Sequence, residues 1–223
     1  MRRYVTTVFI PVLTTLCLMQ PVLALHPPGE GEPPGAAMPL HSAPRGHLPQ
    51  RAEVSFPAPP FNLDAVVGQE FRKVSLADYR GRWVVLFFYP GDFTFVCPTE
   101  IKGFNRSLTE FDATNAVVLA ASTDSRYSHR AWIQSGALDT LNYPLLADFT
   151  KQTARAYGVL DEESGTARRG LFIIDPKGVV RHSVIHDDKV GRSVEETLRV
   201  LKALQTEELC PLNWKPGDKT IKK

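Results

Sequence analysis

Trp83–Val84–Val85–Leu86–Phe87–Phe88–Tyr89–Pro90–Gly91–Asp92–Phe93–Thr94–Phe95–Val96–Cys97–Pro98–Thr99–Glu100–Ile101 is a single run in which a strand, a loop and a helix follow one another. The run opens with uninterrupted apolar residues from Trp83 to Tyr89, in a stretch bounded by Gly81 and by Pro90–Gly91. That pattern suits a strand buried on both faces, inside a sheet covered by helices. Past the loop, Ile101, Phe104, Leu108 and Phe111 recur at steps of three and four, which predicts one amphipathic helix. Pro98 falls in its first turn, where a missing N–H costs nothing. Cys97 therefore stands where strand and loop hand over to a helix N-terminus. Unpaired N–H groups and the positive end of the helix dipole favour an anion there. For a cysteine the anion is the thiolate, the nucleophilic form.

A free cysteine is also a common small core residue. The flanking residues favour the reactive reading. Thr94 has a hydroxyl to turn towards the sulfur, and Pro90 and Pro98 offer rigid apolar walls.

Working outward, Ala116–Val117–Val118–Leu119–Ala120–Ala121 reads as a second buried strand. Asp124 or Ser125 is placed to cap a helix running to about Gln134. Ala147 to Thr150 precedes a short helix stopped at Gly158. Leu171–Ile174 and Val179–Ile185 are strands joined by the turn Asp175–Pro176–Lys177–Gly178. Ser193–Val194–Glu195–Glu196 has the form of a capping box, opening a helix with Val194, Leu198, Leu201 and Leu204 on one face. Towards the N-terminus, Val66–Val67 and Phe71–Val74 flank Gly68 as short strands, and Ser75–Tyr79 is a helical turn. Alternating strands and helices predict an α/β layered domain.

The loop resembles the active-site loop of the peroxiredoxins. Phe88–Tyr89–Pro90 is followed by Asp92–Phe93–Thr94–Phe95–Val96–Cys97–Pro98–Thr99–Glu100, and the signature Pro-x-x-x-Thr-x-x-Cys stands as Pro90, Thr94 and Cys97. It is similar in particular to the typical two-cysteine group, which includes alkyl hydroperoxide reductase subunits. The resemblance extends over residues 56 to 223. It implies a thioredoxin-like fold with a central mixed β-sheet flanked by helices. It also implies Cys97 as the peroxidatic cysteine. The fourth residue of Cys97–Pro98–Thr99–Glu100 is Glu, so no local dithiol exists as in thioredoxins.

By the same resemblance, Arg169, directly before Gly170, is the active-site arginine. Such a cation would favour the Cys97 thiolate and orient a peroxide oxygen. On the residues alone Arg169 reads as a surface charge, and only the resemblance favours the catalytic reading. Arg168 becomes its solvated neighbour. Glu100 and Arg181 match the family's supporting pair, with an exposed ion pair of small worth as the competitor. Trp132 and His129 are expected at the core and rim of the pocket. Cys210 begins Cys210–Pro211–Leu212–Asn213–Trp214–Lys215–Pro216–Gly217, which resembles the segment of the resolving cysteine. A static disulfide in an exported protein is the alternative.

The implied reaction reduces hydrogen peroxide or alkyl hydroperoxides through a Cys97 sulfenic acid. A disulfide with Cys210 of a partner subunit follows, and a thioredoxin-like or flavoprotein reductant reverses it. No metal, haem or flavin cofactor is implied. The resemblance also implies a homodimer, with a decameric ring as a further assembly. Two departures from the peroxide-sensitive members stand out. Ser135–Gly136–Ala137–Leu138–Asp139 lacks the Gly-Gly-x-Gly segment, and no Tyr-Phe helix precedes Lys223. Both suggest a form that resists overoxidation. An oligomeric holdase chaperone and a disulfide oxidoreductase for exported proteins are the competing functions. The holdase would survive loss of Cys97, and the missing Cys-x-x-Cys opposes the oxidoreductase.

Of 223 residues, 43% are hydrophobic and 22% charged, as a globular core requires. A net charge of +2 gives no reason to expect nucleic acid or an anionic membrane as partner. Three cysteines, Cys17, Cys97 and Cys210, make no zinc-ribbon spacing. His182 and His186 share one face of a strand but lack further ligands for a metal site.

Residues 1–24, with Met1–Arg2–Arg3, an apolar run and Val22–Leu23–Ala24, read as a secretory signal peptide or a membrane anchor. Export, to a bacterial periplasm, is the expectation; a mispredicted start would leave a cytoplasmic protein. Residues 25–55 hold seven prolines and read as an extended linker. The domain is expected over 56–206, with a tail, 207–223, that carries Cys210.

Overall fold

A computed structural model of the protein describes residues 51–222. The expectations for residues 1–50 lie outside the described residues. Seven strands form one mixed sheet: β1 Asn62–Val67, β2 Glu70–Ser75, β3 Trp83–Phe88, β4 Ala116–Ser122, β5 Leu145–Ala147, β6 Arg169–Ile174 and β7 Val180–His186. Their spatial order is β2-β1-β5-β4-β3-β6-β7. β3, β4 and β5 run parallel, and the outer pairings are antiparallel. Five helices cover the faces: α1 Cys97–Arg106, α2 Leu108–Ala113, α3 Arg126–Gln134, α4 Gln152–Ala156 and α5 Val194–Gln205. This is the thioredoxin-like architecture.

β3 is central, so both of its faces are buried. Val85 and Phe87 join a cluster with Ile101 and Phe104 of α1, Leu198 and Leu201 of α5, and Trp132 of α3. Val84, Leu86 and Phe88 point the other way, against Leu119, Tyr157, Phe172 and Ile174. Two buried faces explain why the strand reads as an unbroken apolar run.

The helix expected across Ile101 to Phe111 is two helices. Ser107 leaves helical geometry at φ −98° and ψ 11°, and its N–H turns to the Phe104 carbonyl. The tightened last turn bends the chain while Phe104 and Phe111 still stack on the same cluster, 5.9 Å apart. The Ser193 box is half formed. Ser193 Oγ accepts from the Glu196 N–H, but the Glu196 carboxylate is engaged by Arg199 at 2.6 and 2.7 Å. Ser125, rather than Asp124, caps α3 through the Ser128 N–H.

The pairing of β3 with β6 brings the site together. They are antiparallel, from Val84 against Ile174 to Phe87 against Leu171. The N-terminal end of β6, with Arg169 and Gly170, is thereby brought beside the C-terminal end of β3, from which the Cys97 loop departs. Gly170 is needed there, because a Cβ on it would lie 2.4 Å from Val159 Cγ1.

Candidate active site

Cys97 is the first residue of α1, with Pro98 in the opening turn, and it is fully buried. Arg169 Nη1 lies 3.5 Å from its sulfur and donates to it. The same nitrogen donates to Glu100 Oε2 at 2.7 Å, while Arg169 Nε donates to the Asp188 carbonyl at 2.8 Å. The guanidinium is thus fixed from three directions. Burial works against its charge, but the sulfur and the Glu100 carboxylate outweigh burial and raise its pKa. The guanidinium is thus a fixed cation in direct contact with a buried sulfur.

Glu100 is held by a second arginine, and it is not Arg181. Arg181, on β7, instead meets Asp175 at 3.5 Å, its own side chain half exposed. Arg192, in the turn before α5, fills the place instead. Its Nε donates to Glu100 Oε1 at 2.7 Å, its Nη2 to Oε2 at 2.8 Å, and its backbone N–H to Oε1 at 2.8 Å. Its Nη1 donates to the carbonyls of Phe88 and Gly170, at 2.8 and 2.6 Å, clipping β3 to β6. Burial raises the Glu100 pKa, but the hydrogen bonds and charge of Arg192, then the charge of Arg169, pull it below its ordinary value. Arg181 matches the supporting role only in residue type. The signal for Arg192 is its place between Gly191 and the capping residue Ser193, where α5 begins against α1.

The other expected residues lie around and beyond this centre. Pro90 starts the loop and is half-buried. Thr94 is exposed, and its hydroxyl donates to the Gly91 carbonyl at 2.9 Å, bracing the loop rather than bonding to the sulfur. Trp132 is buried beneath the loop, its ring 5.9 Å from Phe93 and 6.1 Å from Tyr89. His129 is fully buried rather than at a rim. Arg168 is exposed and 3.6 Å from Asp161. Cys210 lies in the tail past α5, its sulfur 3.5 Å from Thr206 Oγ1. Cys97 and Cys210 are both free thiols. The tail packs on α5 through buried Trp214, whose carbonyl accepts from Arg199 at 2.9 Å.

Residues 54–183 match the AhpC/TSA family. A thioredoxin peroxidase of Fasciola hepatica is 53% identical over 175 residues, covering 75% of this chain and 90% of that one. A putative peroxiredoxin of the rubredoxin operon of Clostridium pasteurianum is 52% identical over 174 residues, covering 75% of this chain and 98% of that one. The crystal structure of reduced Plasmodium vivax 2-Cys peroxiredoxin superposes with a TM-score of 0.73 at 37% identity, over 76% of this chain and 92% of that one. The chain belongs to the AhpC/TSA family and is a peroxiredoxin. Its activity is that of a thiol-dependent peroxidase of antioxidant defence.

Proposed function

We propose that Cys97 is the peroxidatic cysteine and Cys210 the resolving one. The observation that carries the reading is the Arg169 guanidinium 3.5 Å from a buried sulfur at a helix start, itself anchored by Glu100. The Cys97 thiolate attacks one oxygen of hydrogen peroxide or an alkyl hydroperoxide. The O–O bond breaks, and the other oxygen leaves with a proton as water or alcohol. Arg169 stabilises the charge moving onto the leaving oxygen. Cys97 is left as sulfenic acid, and the Cys210 thiol displaces its hydroxyl as water to form the disulfide. A thioredoxin-like dithiol, or a flavoprotein-linked one, returns both thiols by exchange.

The geometry favours a partner subunit as the source of Cys210. Glu100 and Arg192 mark the N-terminal end of α5, and Cys210 follows its C-terminal end. The 12 residues of α5 span about 18 Å. A bond within one chain would need α-carbons within about 7 Å, so it demands that the tail leave α5, whereas a partner's thiol is what the resemblance implies. A homodimer, assembling further into a ring, is the proposed state. Export, with removal of residues 1–24 and Cys17, is the proposed destination, supported by the basic start and apolar run.

Rapid-mixing assays test the chemistry. Wild type consumes peroxide repeatedly with a thioredoxin-type reductant. Cys210→Ser consumes one equivalent and stops, and Cys97→Ser consumes none. Peroxide turnover in Cys97→Ser would overturn the assignment.

A further inference from the structure

His129 lies on α3, far from Cys97 in sequence, yet its side chain is fully buried and paired with the Cys97 loop. Its Nε2 is 3.1 Å from the Leu146 carbonyl of β5. A carbonyl only accepts, so Nε2 carries a proton. Its Nδ1 is 2.8 Å from Asp92 Oδ2 and 3.1 Å from Oδ1. Asp92 Oδ1 also accepts from the Tyr89 hydroxyl at 2.9 Å. The Tyr89 hydroxyl also lies 3.4 Å from His129 Nδ1, so ring, carboxylate and phenol form one buried cluster. The polar groups facing the ring are Tyr89 past β3, Asp92 of the loop and the Leu146 carbonyl of β5. Asp124 past β4 acts at one remove.

The pair fastens one end of the loop. Asp124 Oδ2 accepts from the Asp92 backbone N–H at 3.0 Å and from Ser122 Oγ at 2.8 Å, so Asp92 is fixed by both its main chain and its side chain. Phe93 follows at φ +55°, its ring leaning on Trp132, three residues on from His129 in α3. Beyond it the loop holds little. Thr94 bonds only within the loop, and Phe93 and Phe95 are 59% and 94% exposed. The other end is fastened by Glu100 between its two arginines.

We propose that His129 is a positioning residue for the peroxidase reaction. Acting through Asp92, its ring holds the Cys97 loop packed, and so sets the balance between attack on peroxide and release of the sulfenic acid to Cys210. The inference rests on Cys97 being the peroxidatic residue. A packed loop places sulfur against Arg169, and an open one exposes it to the second thiol. Weakening the pair therefore slows the first step and speeds the second.

The test follows both steps in His129→Gln by rapid mixing, with Asp92→Asn as a second variant. Sulfenic acid formation should slow by about tenfold, as a small misplacement of reacting groups does. Disulfide formation should quicken, and less sulfinic Cys97 should accumulate at excess peroxide. Unfolding at lower temperature with both steps unchanged would reduce His129 to a structural role and overturn the proposal. A wild-type measurement decides the matter should neither variant fold. In wild type, hydrogen exchange at Phe93 to Cys97 should keep pace with exchange around His129 in α3, because the pair with Asp92 joins the two. Loop exchange independent of α3 would overturn the proposal. Peroxide consumption by Cys97→Ser would instead overturn the reading of Cys97 and leave the exchange measurement standing.

Discussion

Two arginines, eleven positions apart, show how little residue type says without burial. Arg192 is buried against Glu100 and two main-chain carbonyls. Replacing it by Ala strands a buried carboxylate, at a cost of about 3–5 kcal/mol. Arg181 is half exposed and only 3.5 Å from Asp175, so Arg181→Ala should change stability by less than about 1 kcal/mol. Chemical denaturation of both variants, with the peroxide rate of each, checks the contrast. Glu100 adds a pH dependence. Its pKa is lowered on folding, so its contribution is complete above the ordinary carboxylate value and lost as pH falls through the lowered one. Below about pH 4 the melting temperature of wild type should fall more steeply than that of Glu100→Gln. Parallel slopes for the two proteins would mean that another group titrates.

At the scale of elements, α4 depends on a residue outside it. Lys151 at its N-cap is in the left-handed region, φ +62°, and supplies no side-chain cap. Asp148 replaces the cap, its carboxylate accepting from the N–H groups of Thr153 and Ala154 at 3.1 and 2.6 Å. Burial raises its pKa against those bonds, so the carboxylate is held at some cost. Asp148→Ala leaves two donors without partners and should cost about 1–3 kcal/mol, measurable by denaturant unfolding. The turn Ser135–Asp139, after α3, carries an expectation of its own. It lacks the glycine segment of peroxide-sensitive relatives, so turnover in excess peroxide should leave mainly disulfide. Prompt sulfinic Cys97 in mass spectra would contradict it.

For the whole molecule, the proposed resolving step predicts a covalent dimer. Oxidised wild type should run as a dimer on a non-reducing gel, and Cys210→Ser as a monomer. A static bridge within one chain would instead give monomers throughout, with stability lost on reduction by about 4–5 kcal/mol. Fractionation with N-terminal sequencing tests export separately, and Met1 retained in a cytosolic protein would refute it.

Much of the fold is legible in the sequence by itself, because it is local. The double burial of β3 shows as an unbroken apolar run, and the Cys97 helix start shows as Pro98 ahead of Ile101 and Phe104. The hairpin between β6 and β7 is written in Asp175–Pro176–Lys177–Gly178. The Pro90, Thr94 and Cys97 pattern marks the proposed site, since a loop and the helix it enters are contiguous in sequence. Pairing across long separations is decided only by the tertiary structure. No local pattern tells Arg192 from Arg181 as the partner of Glu100, or shows that His129 on α3 grips Asp92. Those choices follow from the antiparallel docking of β6 on β3 and from α3 and α5 closing over the sheet. Only there does burial decide which charges must meet, because a charge removed from water has to find its counter-charge.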